Sequence, residues 1–452
     1  MWGLSLLRSD SGAMCSPIKG DNVGQPRLIF VNRFFYPNES ATSQLLTDVC
    51  WTLADEAWDV RVIASDRGEP GKSRLSRKEV VKSVNVRRVR STQFGGTSLI
   101  GRAIDYLSFY PGAFVELLRS ARTNDVIVVK TDPPMFVVLA VVAARLKRAK
   151  LIVWLQDLYP EVAIELGVRG LRGPLGWALI QLRNMALRGA DANVVIGVRM
   201  SDRLIAGGVR PFRIHLLPNW SDDSIEPLRS ADSNSRKEWG IKDDVFVFGY
   251  SGNLGRAHEA ETLLGAAKLL QHRQDICFLF VGSGHESHYL KRAIAEAGLE
   301  NFVFQPHQPR DQLSHSMAAS DAHWLSLRPE LEGLIVPSKF YGIASAGRPV
   351  VAIVAKDGEI ARAVNDLDCG YVVEPGDSAR LAAVIAELAD NPMHGQQLGQ
   401  RARAGSDQKF ARRLALKRWS WIIQKVTEEP AFRRSSPGSA IVEETEDQAI
   451  AR

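Results

Sequence analysis

Cysteine and long apolar segments are both scarce in this sequence. Only four cysteines occur in 452 residues, and their wide spacing matches neither a metal-binding motif nor a disulfide framework. The longest apolar run, residues 133–144, is too short to cross a bilayer and ends in a basic cluster. The first ten residues lack the basic start and long apolar core of a signal peptide. These absences predict a cytoplasmic protein without a transmembrane segment.

Several signatures of bound groups are also absent. No G-x-G-x-x-G follows the first predicted strand, so a dinucleotide cofactor is not indicated, and no Asp-x-Asp pair stands at a sheet edge to hold a metal. The formal net charge of +6 would suit nucleic acid, an acidic membrane surface or a phosphorylated substrate. Because no nucleic-acid-binding module is recognisable, we expect no nucleic-acid partner. The missing Asp-x-Asp pair and the missing glycine motif lead us to expect no metal and no cofactor.

Short apolar runs alternate with helical patterns along most of the chain, an order that is typical of a doubly wound α/β sheet. The length of 452 residues corresponds to about two or three domains. A cluster of Pro, Asn and Asp at residues 218–223 indicates a loop between two such units. The strands are predicted at residues 28–31, 60–64, 126–130, 151–155, 193–196, 214–217, 245–250, 277–281, 302–305 and 323–327.

The segment PSKFYGIASAGRPVV, residues 337–351, combines a helix start with a cation. Pro337 suits the first position of a helix, and Ser338 and Lys339 add a hydroxyl and an ammonium to the positive helix end, where anions bind. Gly347 can end the helix in a left-handed cap, and a buried strand follows. The same features would also serve an ordinary helix and strand, so the pattern alone leaves both interpretations open.

Two glycine turns follow predicted strands in the second half of the chain. A glycine turn before a helix lets backbone N–H groups approach a phosphate closely, and an arginine beside it can donate a pair of hydrogen bonds. We therefore expect these turns to bind phosphate, although the same glycine spacing also occurs in ordinary turns. The residues concerned are Gly252, Asn253, Arg256, Gly282 and Gly284.

Polar residues follow three predicted strands of the first half. Tyr36, Asn38 and Glu39 follow the first strand, Asp132 follows the third and Asp157 follows the fourth. In a doubly wound sheet the loops at the carboxyl ends of the strands face the ligand, so these side chains could contact substrate. The alternatives are a plain turn with a Ser or Thr cap after the first strand and a helix N-cap at Asp157.

The segment 337–351 resembles the donor-binding segment of the family-four glycosyltransferases, which have the GT-B fold and retain the anomeric configuration. The segments FFYPNESATSQLL, WLQDLYPE and YSGNLGR are similar to those of a subgroup that builds bacterial surface polysaccharide, the colanic-acid and fucosamine transferases. The resemblance covers residues 27–427. The chain departs from the family at its two usual glutamates, which fall on Leu334 and Gly342, although Glu330 and Glu332 lie just upstream.

A second departure concerns the cations beside the first glycine turn. The family often has an arginine and a lysine there, at places that correspond to Asn253 and His258 of this chain. We expect Arg256 to take the place of the arginine.

The resemblance implies a GT-B architecture, in which two Rossmann-like α/β domains enclose an interdomain cleft. It also implies that the last helix returns to the first domain. We therefore expect a disordered lead at 1–24, an N-terminal acceptor domain at 25–217, a linker at 218–228, a C-terminal nucleotide-sugar domain at 229–410, a crossover helix at 411–428 and a disordered tail at 429–452.

Transfer of a sugar from a UDP- or GDP-sugar is the activity that the resemblance implies. Asp157, Arg256 and Lys339 are the expected catalytic residues, since the two cations could stabilise a departing diphosphate without a metal. Asp157 would accept a proton or hold a sugar hydroxyl. The expected substrate-binding residues are Tyr36, Asn38, Glu39, Asp132, Gly252, Asn253, Gly282, Gly284, Gln308, Pro337 and Ser338.

The expected acceptor is a saccharide on a polyprenyl diphosphate, which would place the protein peripherally at the inner face of the plasma membrane. The amphipathic segment 100–120 is the docking candidate, because Phe109, Tyr110 and Phe114 could insert while nearby arginines meet anionic headgroups. The alternative is that these aromatic residues pack inside the first domain.

Two other functions fit the same fold. An epimerase would use the nucleotide sugar without an acceptor, although the absence of both usual glutamates argues against the acidic groups that it would need around the sugar. A non-catalytic scaffold would bind the nucleotide sugar and release no product. Nucleotide release from a panel of nucleotide sugars would separate the three possibilities.

Overall fold

Two β-sheets organise the chain in a computed structural model that describes residues 26–68, 73–95 and 99–428. The predicted disordered lead and tail lie outside the described residues. The strands are β1 Leu28–Val31, β2 Val60–Ser65, β3 Lys78–Val81, β4 Val84–Val89, β5 Val126–Lys130, β6 Lys150–Trp154, β7 Ala192–Val195, β8 Ile214–Leu216, β9 Phe246–Ser251, β10 Ile276–Val281, β11 Phe302–Gln305, β12 Ala322–Ser326, β13 Val350–Ile353 and β14 Gly370–Val373. The helices are α1 Ala41–Asp55, α2 Leu99–Ser120, α3 Phe136–Lys147, α4 Glu161–Glu165, α5 Pro174–Gly189, α6 Val198–Ala206, α7 Asn234–Glu238, α8 Glu261–Leu269, α9 His285–Glu296, α10 Leu313–Ala318, α11 Lys339–Ser345, α12 Glu359–Leu367, α13 Ser378–Asp390, α14 Pro392–Lys409 and α15 Arg412–Glu428.

The first sheet has eight strands in the order β3-β4-β2-β1-β5-β6-β7-β8. Its neighbouring strands are parallel except for β3 and β4, which form an antiparallel hairpin. Strands β5 and β6 are largely apolar and buried throughout, because helices cover both faces of a parallel sheet. The order along the chain reverses between β1 and β5, and ligands of doubly wound sheets bind in the crevice at such a reversal.

The second sheet has six strands in the order β11-β10-β9-β12-β13-β14, and all of its neighbouring pairs are parallel. Its strand β10, ICFLFV, is buried along its whole length. The order along the chain reverses here between β9 and β12. The loops after β9, β10 and β12 are therefore placed to contact a ligand.

The last helix, α15, completes the core of the first sheet. The Trp419 side chain is fully buried, and its ring centroid lies 4.6 Å from that of Trp154 on β6. Trp220, in the segment that links the sheets, stacks on the other side of this cluster at 6.0 Å from Trp154 and donates a hydrogen bond from Nε1 to Asp48 Oδ2 at 3.1 Å. The chain therefore returns to its first domain after building the second.

The inward face of α2 contradicts the predicted docking by aromatic residues. Phe109 is fully buried, the Tyr110 hydroxyl donates to the Pro134 carbonyl, and Phe114 packs against the same core. These three side chains cannot insert into a membrane without unfolding the domain, so the docking prediction is wrong for them and the packing alternative holds. Among the described residues, no helix is both long enough and apolar enough to span a bilayer.

We expect Trp419→Ala to destabilise the first domain by about 3–5 kcal/mol, because a large buried aromatic side chain would leave a cavity in the core. The measurement is urea unfolding, followed by hydrogen exchange of the β5 and β6 amides. Trp177→Ala is the matched control: Trp177 is 66% exposed, and its loss should change stability by less than about 0.5 kcal/mol. Equal effects of the two substitutions would contradict the observed packing of α15.

Candidate active site

Two carboxylates meet at the carboxyl ends of the adjacent strands β5 and β6. Asp132 follows β5 and Asp157 follows β6, and the two are close enough for the charge of Asp132 to raise the pKa of Asp157. Thr131 holds the second loop in place, because its Oγ1 accepts hydrogen bonds from the N–H groups of Gln156 at 3.1 Å and Asp157 at 3.2 Å. The structure thus brings together two of the predicted site residues.

Two cations flank this carboxylate pair, and the sequence analysis assigned a role to neither. Arg33 Nε lies 3.4 Å from Asp132 Oδ1, and the Arg33 guanidinium stacks over the Tyr106 ring at 4.7 Å. Lys130 is buried; its Nζ donates to the Thr42 carbonyl at 2.9 Å and lies 3.7 Å from the centroid of the Trp154 ring. A lysine inside the apolar strand VIVVK was the sequence signal for this buried charge.

Burial shifts the pKa of these groups toward neutrality. It raises the pKa of Asp157 to about 6, with a further increase from Asp132 and an opposing effect of Lys130. Burial also raises the pKa of Asp132, which Arg33 and Lys130 counteract, and it lowers the pKa of Lys130 to about 7. A carboxylate whose pKa lies near neutral pH is well suited to accept a proton from a hydroxyl or to hold that hydroxyl by a hydrogen bond.

In the loop after β1, two of the three residues predicted to bind substrate make contacts within the protein. The Tyr36 side chain is 44% exposed, and its ring packs against Trp51 of α1 at a centroid distance of 5.5 Å. Asn38 Oδ1 accepts a hydrogen bond from the Ser40 N–H at 3.0 Å, which closes a turn. Glu39 is exposed. A role of these residues in substrate binding stays a prediction.

The two glycine turns of the second domain pack directly against each other. Gly252 after β9 and Gly282 and Gly284 after β10 have φ angles of +121°, +127° and +146°, which favour glycine. A Cβ on Gly282 would lie 2.3 Å from the Gly252 carbonyl oxygen, and one on Gly284 would lie 2.2 Å from the Leu254 carbonyl oxygen. Only glycine allows this approach, which leaves bare backbone beside the cleft.

Lys339, the first residue of α11, extends its ammonium beneath these turns. Its Nζ donates to the Asn253 carbonyl at 3.2 Å and lies 3.4 Å from His258 Nε2. The Nδ1 atom of His258 lies 2.7 Å from the Ser326 carbonyl oxygen. Because a carbonyl can only accept, Nδ1 carries the proton and Nε2 presents its lone pair to Lys339.

The pKa values of this pair agree with that assignment. Burial lowers the pKa of His258 to about 3, with a further decrease from Lys339, so the imidazole is neutral at physiological pH. Burial alone lowers the pKa of Lys339 to about 8. The family that this chain resembles often has a lysine at the place of His258. Here a cation lies beside that place, and α11 supplies it as Lys339. No short motif could indicate this contact, because the two residues lie 81 positions apart.

The other predicted donor residues have fewer contacts. Arg256 is partly exposed and pairs with no carboxylate in the part of the chain that the structure describes. Gln308 donates from Nε2 to the Pro306 carbonyl at 2.9 Å. Ser338 is exposed and caps no helix through its side chain, while α11 begins at Lys339. The prediction of a helix start at Pro337 was therefore two residues early, since the chain first makes a turn in which the Phe340 N–H donates to the Pro337 carbonyl at 3.4 Å.

The glutamates upstream of Leu334 do not take the places of the absent pair. Glu330 is exposed and lies 3.6 Å from Arg328. Glu332 is buried, and its Oε2 accepts from the Glu359 N–H at 3.4 Å at the start of α12. Burial raises the pKa of Glu332. Its contacts are with the start of α12, whereas Lys339 lies against the first glycine turn.

Backbone and side-chain bonds join the two halves of the site. The Leu158 N–H donates to the Leu334 carbonyl at 2.8 Å, which links the loop that carries Asp157 to the loop that leads to Lys339. Glu359 Oε2 accepts from the Val198 N–H at 2.9 Å at the start of α6. Within the described ranges, no three His, Cys, Asp or Glu side chains come together as a metal site.

Two family models match the chain. The model described as "Glycosyl transferase 4-like domain" matches residues 44–220, and the model described as "Glycosyl transferases group 1" matches residues 231–405. The chain is also similar to the probable glycosyltransferase WbjE of Pseudomonas aeruginosa. The two are 25% identical over 318 residues, which is 70% of this chain and 78% of that protein.

Solved structures with the same fold cover most of the chain. HepE of Anabaena, in complex with UDP-glucose, superposes with a TM-score of 0.66 at 18% identity, over 89% of this chain and 100% of that chain. Sucrose-phosphate synthase from Thermosynechococcus elongatus superposes with a TM-score of 0.69 at 15% identity, over 89% and 99%. These likenesses confirm the predicted GT-B architecture of two Rossmann-like domains with a cleft between them.

We expect Asp157→Asn to stabilise the protein at neutral and alkaline pH. Burial holds the pKa of Asp157 at about 6 in the folded state, above its ordinary value of 3.8. The folded state therefore binds the proton more tightly, and ionisation of Asp157 costs stability as the pH rises from about 4 to about 6. Asparagine, which cannot ionise, avoids that cost.

Thermal unfolding at several pH values measures this effect. The advantage of Asp157→Asn over the wild type should grow between pH about 4 and about 6 and stay constant above that range. The control is Asp366→Asn, because Asp366 is exposed on α12 and should give no such pH-dependent difference. If Asp157→Asn is less stable than the wild type at pH 8, ionisation of the buried Asp157 does not cost stability and the prediction is wrong.

Proposed function

Because the chain belongs to the family-four glycosyltransferases of the GT-B fold, we propose that it transfers a sugar from a nucleotide diphosphate sugar with retention of anomeric configuration. One observation carries the proposal. The Lys339 ammonium lies against the bare glycine turns of one sheet, and the Asp132 and Asp157 carboxylates follow strands of the other. The Leu158–Leu334 hydrogen bond joins the loop that carries Asp157 to the loop that leads to Lys339.

The second domain would bind the donor diphosphate. Gly252, Gly282 and Gly284 offer backbone to the phosphates, and Lys339 would donate to the departing diphosphate oxygens. Arg256 lies on the same loop as Gly252 and would add a second charged donor. The Lys339 ammonium has three N–H donors, one directed to the Asn253 carbonyl and one to His258, and the third would donate to a phosphate oxygen of the ligand.

The first domain would bind the acceptor. Asp157 would accept a hydrogen bond from the attacking hydroxyl, and its pKa of about 6 keeps it mostly ionised at neutral pH. Asp132, held by Arg33, would position a neighbouring hydroxyl of the same sugar. The complex of HepE with UDP-glucose supports a nucleoside diphosphate sugar as the donor, and we propose a UDP- or GDP-sugar without choosing the base.

We further propose that the acceptor is a saccharide on a polyprenyl diphosphate in surface polysaccharide synthesis, and that the protein acts peripherally at the inner face of the membrane. The similarity of WLQDLYPE and FFYPNESATSQLL to the surface-polysaccharide transferases supports this acceptor. An epimerase would leave the nucleotide attached to the sugar, and a scaffold would leave the donor unchanged. Among the described residues of the cleft, no contact favours either alternative.

The experiment that tests the function is a nucleotide-release assay. The purified protein is incubated with a panel of UDP- and GDP-sugars, with and without a short-chain polyprenyl-diphosphate saccharide. Release of UDP or GDP that depends on the acceptor, together with an acceptor extended by one sugar, would support transfer. A change of the sugar without nucleotide release would indicate an epimerase, and donor binding without any reaction would indicate a scaffold.

We expect Lys339→Ala and Arg256→Ala each to lower the transfer rate more than about tenfold. Each removes a charged hydrogen bond to the leaving diphosphate, which is worth about 1.5–3 kcal/mol. Lys268→Ala and Arg292→Ala are matched controls, because both side chains are exposed in the same domain away from the cleft. If both cleft variants are folded by circular dichroism and turn over at the normal rate, Lys339 and Arg256 do not bind the leaving diphosphate as proposed.

We expect transfer to survive removal of divalent metal by EDTA, because Lys339 and Arg256 would supply the positive charge at the diphosphate. The rate is measured before and after chelation and dialysis. A complete loss that magnesium or manganese restores would overturn the account in which side-chain cations act alone.

A further inference from the structure

Helix α5 has an exposed face that is almost entirely apolar. Its exposed positions are Pro174, Leu175, Trp177, Ala178, Gln181, Leu182, Met185 and Arg188. Trp177 is 66% exposed and Met185 is 55% exposed. A helix face that water covers is normally charged or polar, so this composition indicates a surface that contacts something apolar.

The end of α3 extends the same surface. Helices α3 and α5 pack side by side, and the Arg145 guanidinium approaches Gly189 at the end of α5. On α3, Leu146 is 67% exposed and Val142 is also exposed. We call the exposed side chains Val142, Leu146, Leu175, Trp177, Leu182 and Met185 the α3–α5 surface.

The charged side chains on α3, on α5 and in the loop before α5 are all basic. No Asp or Glu occurs at residues 133–149 or 166–190, whereas Arg145, Arg148, Arg172 and Arg188 are exposed there. None of these four arginines forms an ion pair within the described residues. An apolar strip with arginines at both ends complements an anionic lipid surface, where the rings and aliphatic chains enter the interface and the cations meet headgroups. The same charges would repel a second copy of this face.

The surface adjoins the acceptor half of the cleft. Arg183, on the opposite side of α5, donates to the Tyr159 carbonyl at 3.2 Å and pairs with Glu161, so α5 holds the loop that carries Asp157. A bilayer that contacts Trp177 and Leu175 would therefore bind the same helix that holds this loop in place.

We infer that the α3–α5 surface docks the protein on an anionic lipid bilayer and orients the cleft toward lipid-anchored acceptors. The inference rests on the lipid-linked acceptor of the proposed function and replaces the inward aromatic residues of α2 as the site of insertion. Docking adds affinity for the membrane and leaves the chemistry at Lys339 and Asp157 unchanged.

Vesicle sedimentation of the full-length protein tests the inference. Vesicles of phosphatidylglycerol and phosphatidylcholine are compared with phosphatidylcholine alone, at about 50 mM and about 500 mM salt. The wild type should sediment with the anionic vesicles at low salt and should largely be released at high salt. The variants Trp177→Ser with Met185→Ser, and Arg172→Gln with Arg188→Gln, should each bind about tenfold more weakly.

Two control pairs match these variants in the second domain. Leu269→Ser with Met393→Ser removes exposed apolar side chains, and Lys268→Gln with Arg292→Gln removes exposed cations. Both control pairs should bind vesicles like the wild type. Wild-type protein that ignores anionic vesicles, or surface variants that bind as well as the controls, would overturn the inference. The inference would also be overturned if light scattering detects a dimer of the wild type that becomes a monomer in the surface variants.

Nucleotide release with a water-dispersible short-chain acceptor separates this inference from the proposed function. The surface variants should transfer sugar to that acceptor at the wild-type rate, because none of the four residues lies in the cleft. Transfer without vesicle binding by the wild type would refute the docking surface and leave the function in place. Vesicle binding that the surface variants lose, with no transfer by any form of the protein, would refute the function and leave the surface in place.

Discussion

The hydrogen bond from the Leu158 N–H to the Leu334 carbonyl is the constraint on which the site depends. Each of its two loops follows a strand of a different sheet, so this 2.8 Å bond, together with the bond from the Val198 N–H to Glu359 Oε2, holds the two sheets against each other at the cleft. Asp157 lies one residue before the donor, and the segment after the acceptor leads directly into α11 and Lys339. Asp157 belongs to the first domain and Lys339 to the second. The distance between the carboxylate and the ammonium therefore depends on how the two domains contact each other.

Burial acts on the two halves of the site in opposite directions and for the same reason. Removing water disfavours charge, so it raises the pKa of Asp157 to about 6 and lowers the pKa of Lys339 to about 8. Both groups are predominantly charged between those values, although each is less stable there than in water. A polar ligand that places an anion beside Lys339 and a hydroxyl beside Asp157 would supply the interactions that the folded protein leaves incomplete.

Local patterns in the sequence predicted most strands and helix ends, whereas they could not predict contacts between distant segments. The strands at 28–31, 126–130 and 302–305 are confirmed, and Gly347 ends α11 with a φ of +66° as predicted. The hairpin of β3 and β4 was missed, because its turn at Lys82 and Ser83 has positive φ at both positions without the usual Asn-Gly signal.

The orientation of α2 and the environment of Lys339 show why the remainder could not be predicted. Helix α2 has aromatic residues on one face and Ile104 and Leu107 exposed on another, so periodicity cannot decide which face is buried. The contact of Lys339 with His258 and the ion pair of Arg33 with Asp132 join residues from different strand ends. Such pairs follow from the topology, which no short motif encodes.

The place of α15 has a consequence for synthesis of the protein. During translation the strands β1, β5 and β6 leave the ribosome long before Trp419, so Trp154 lacks its partner while the entire second domain is being made. For that interval the nascent first domain presents an uncovered aromatic face, which is a natural binding site for a chaperone. The first domain is thus continuous in space but not in sequence, and it reaches its native core only when the C-terminal helix arrives.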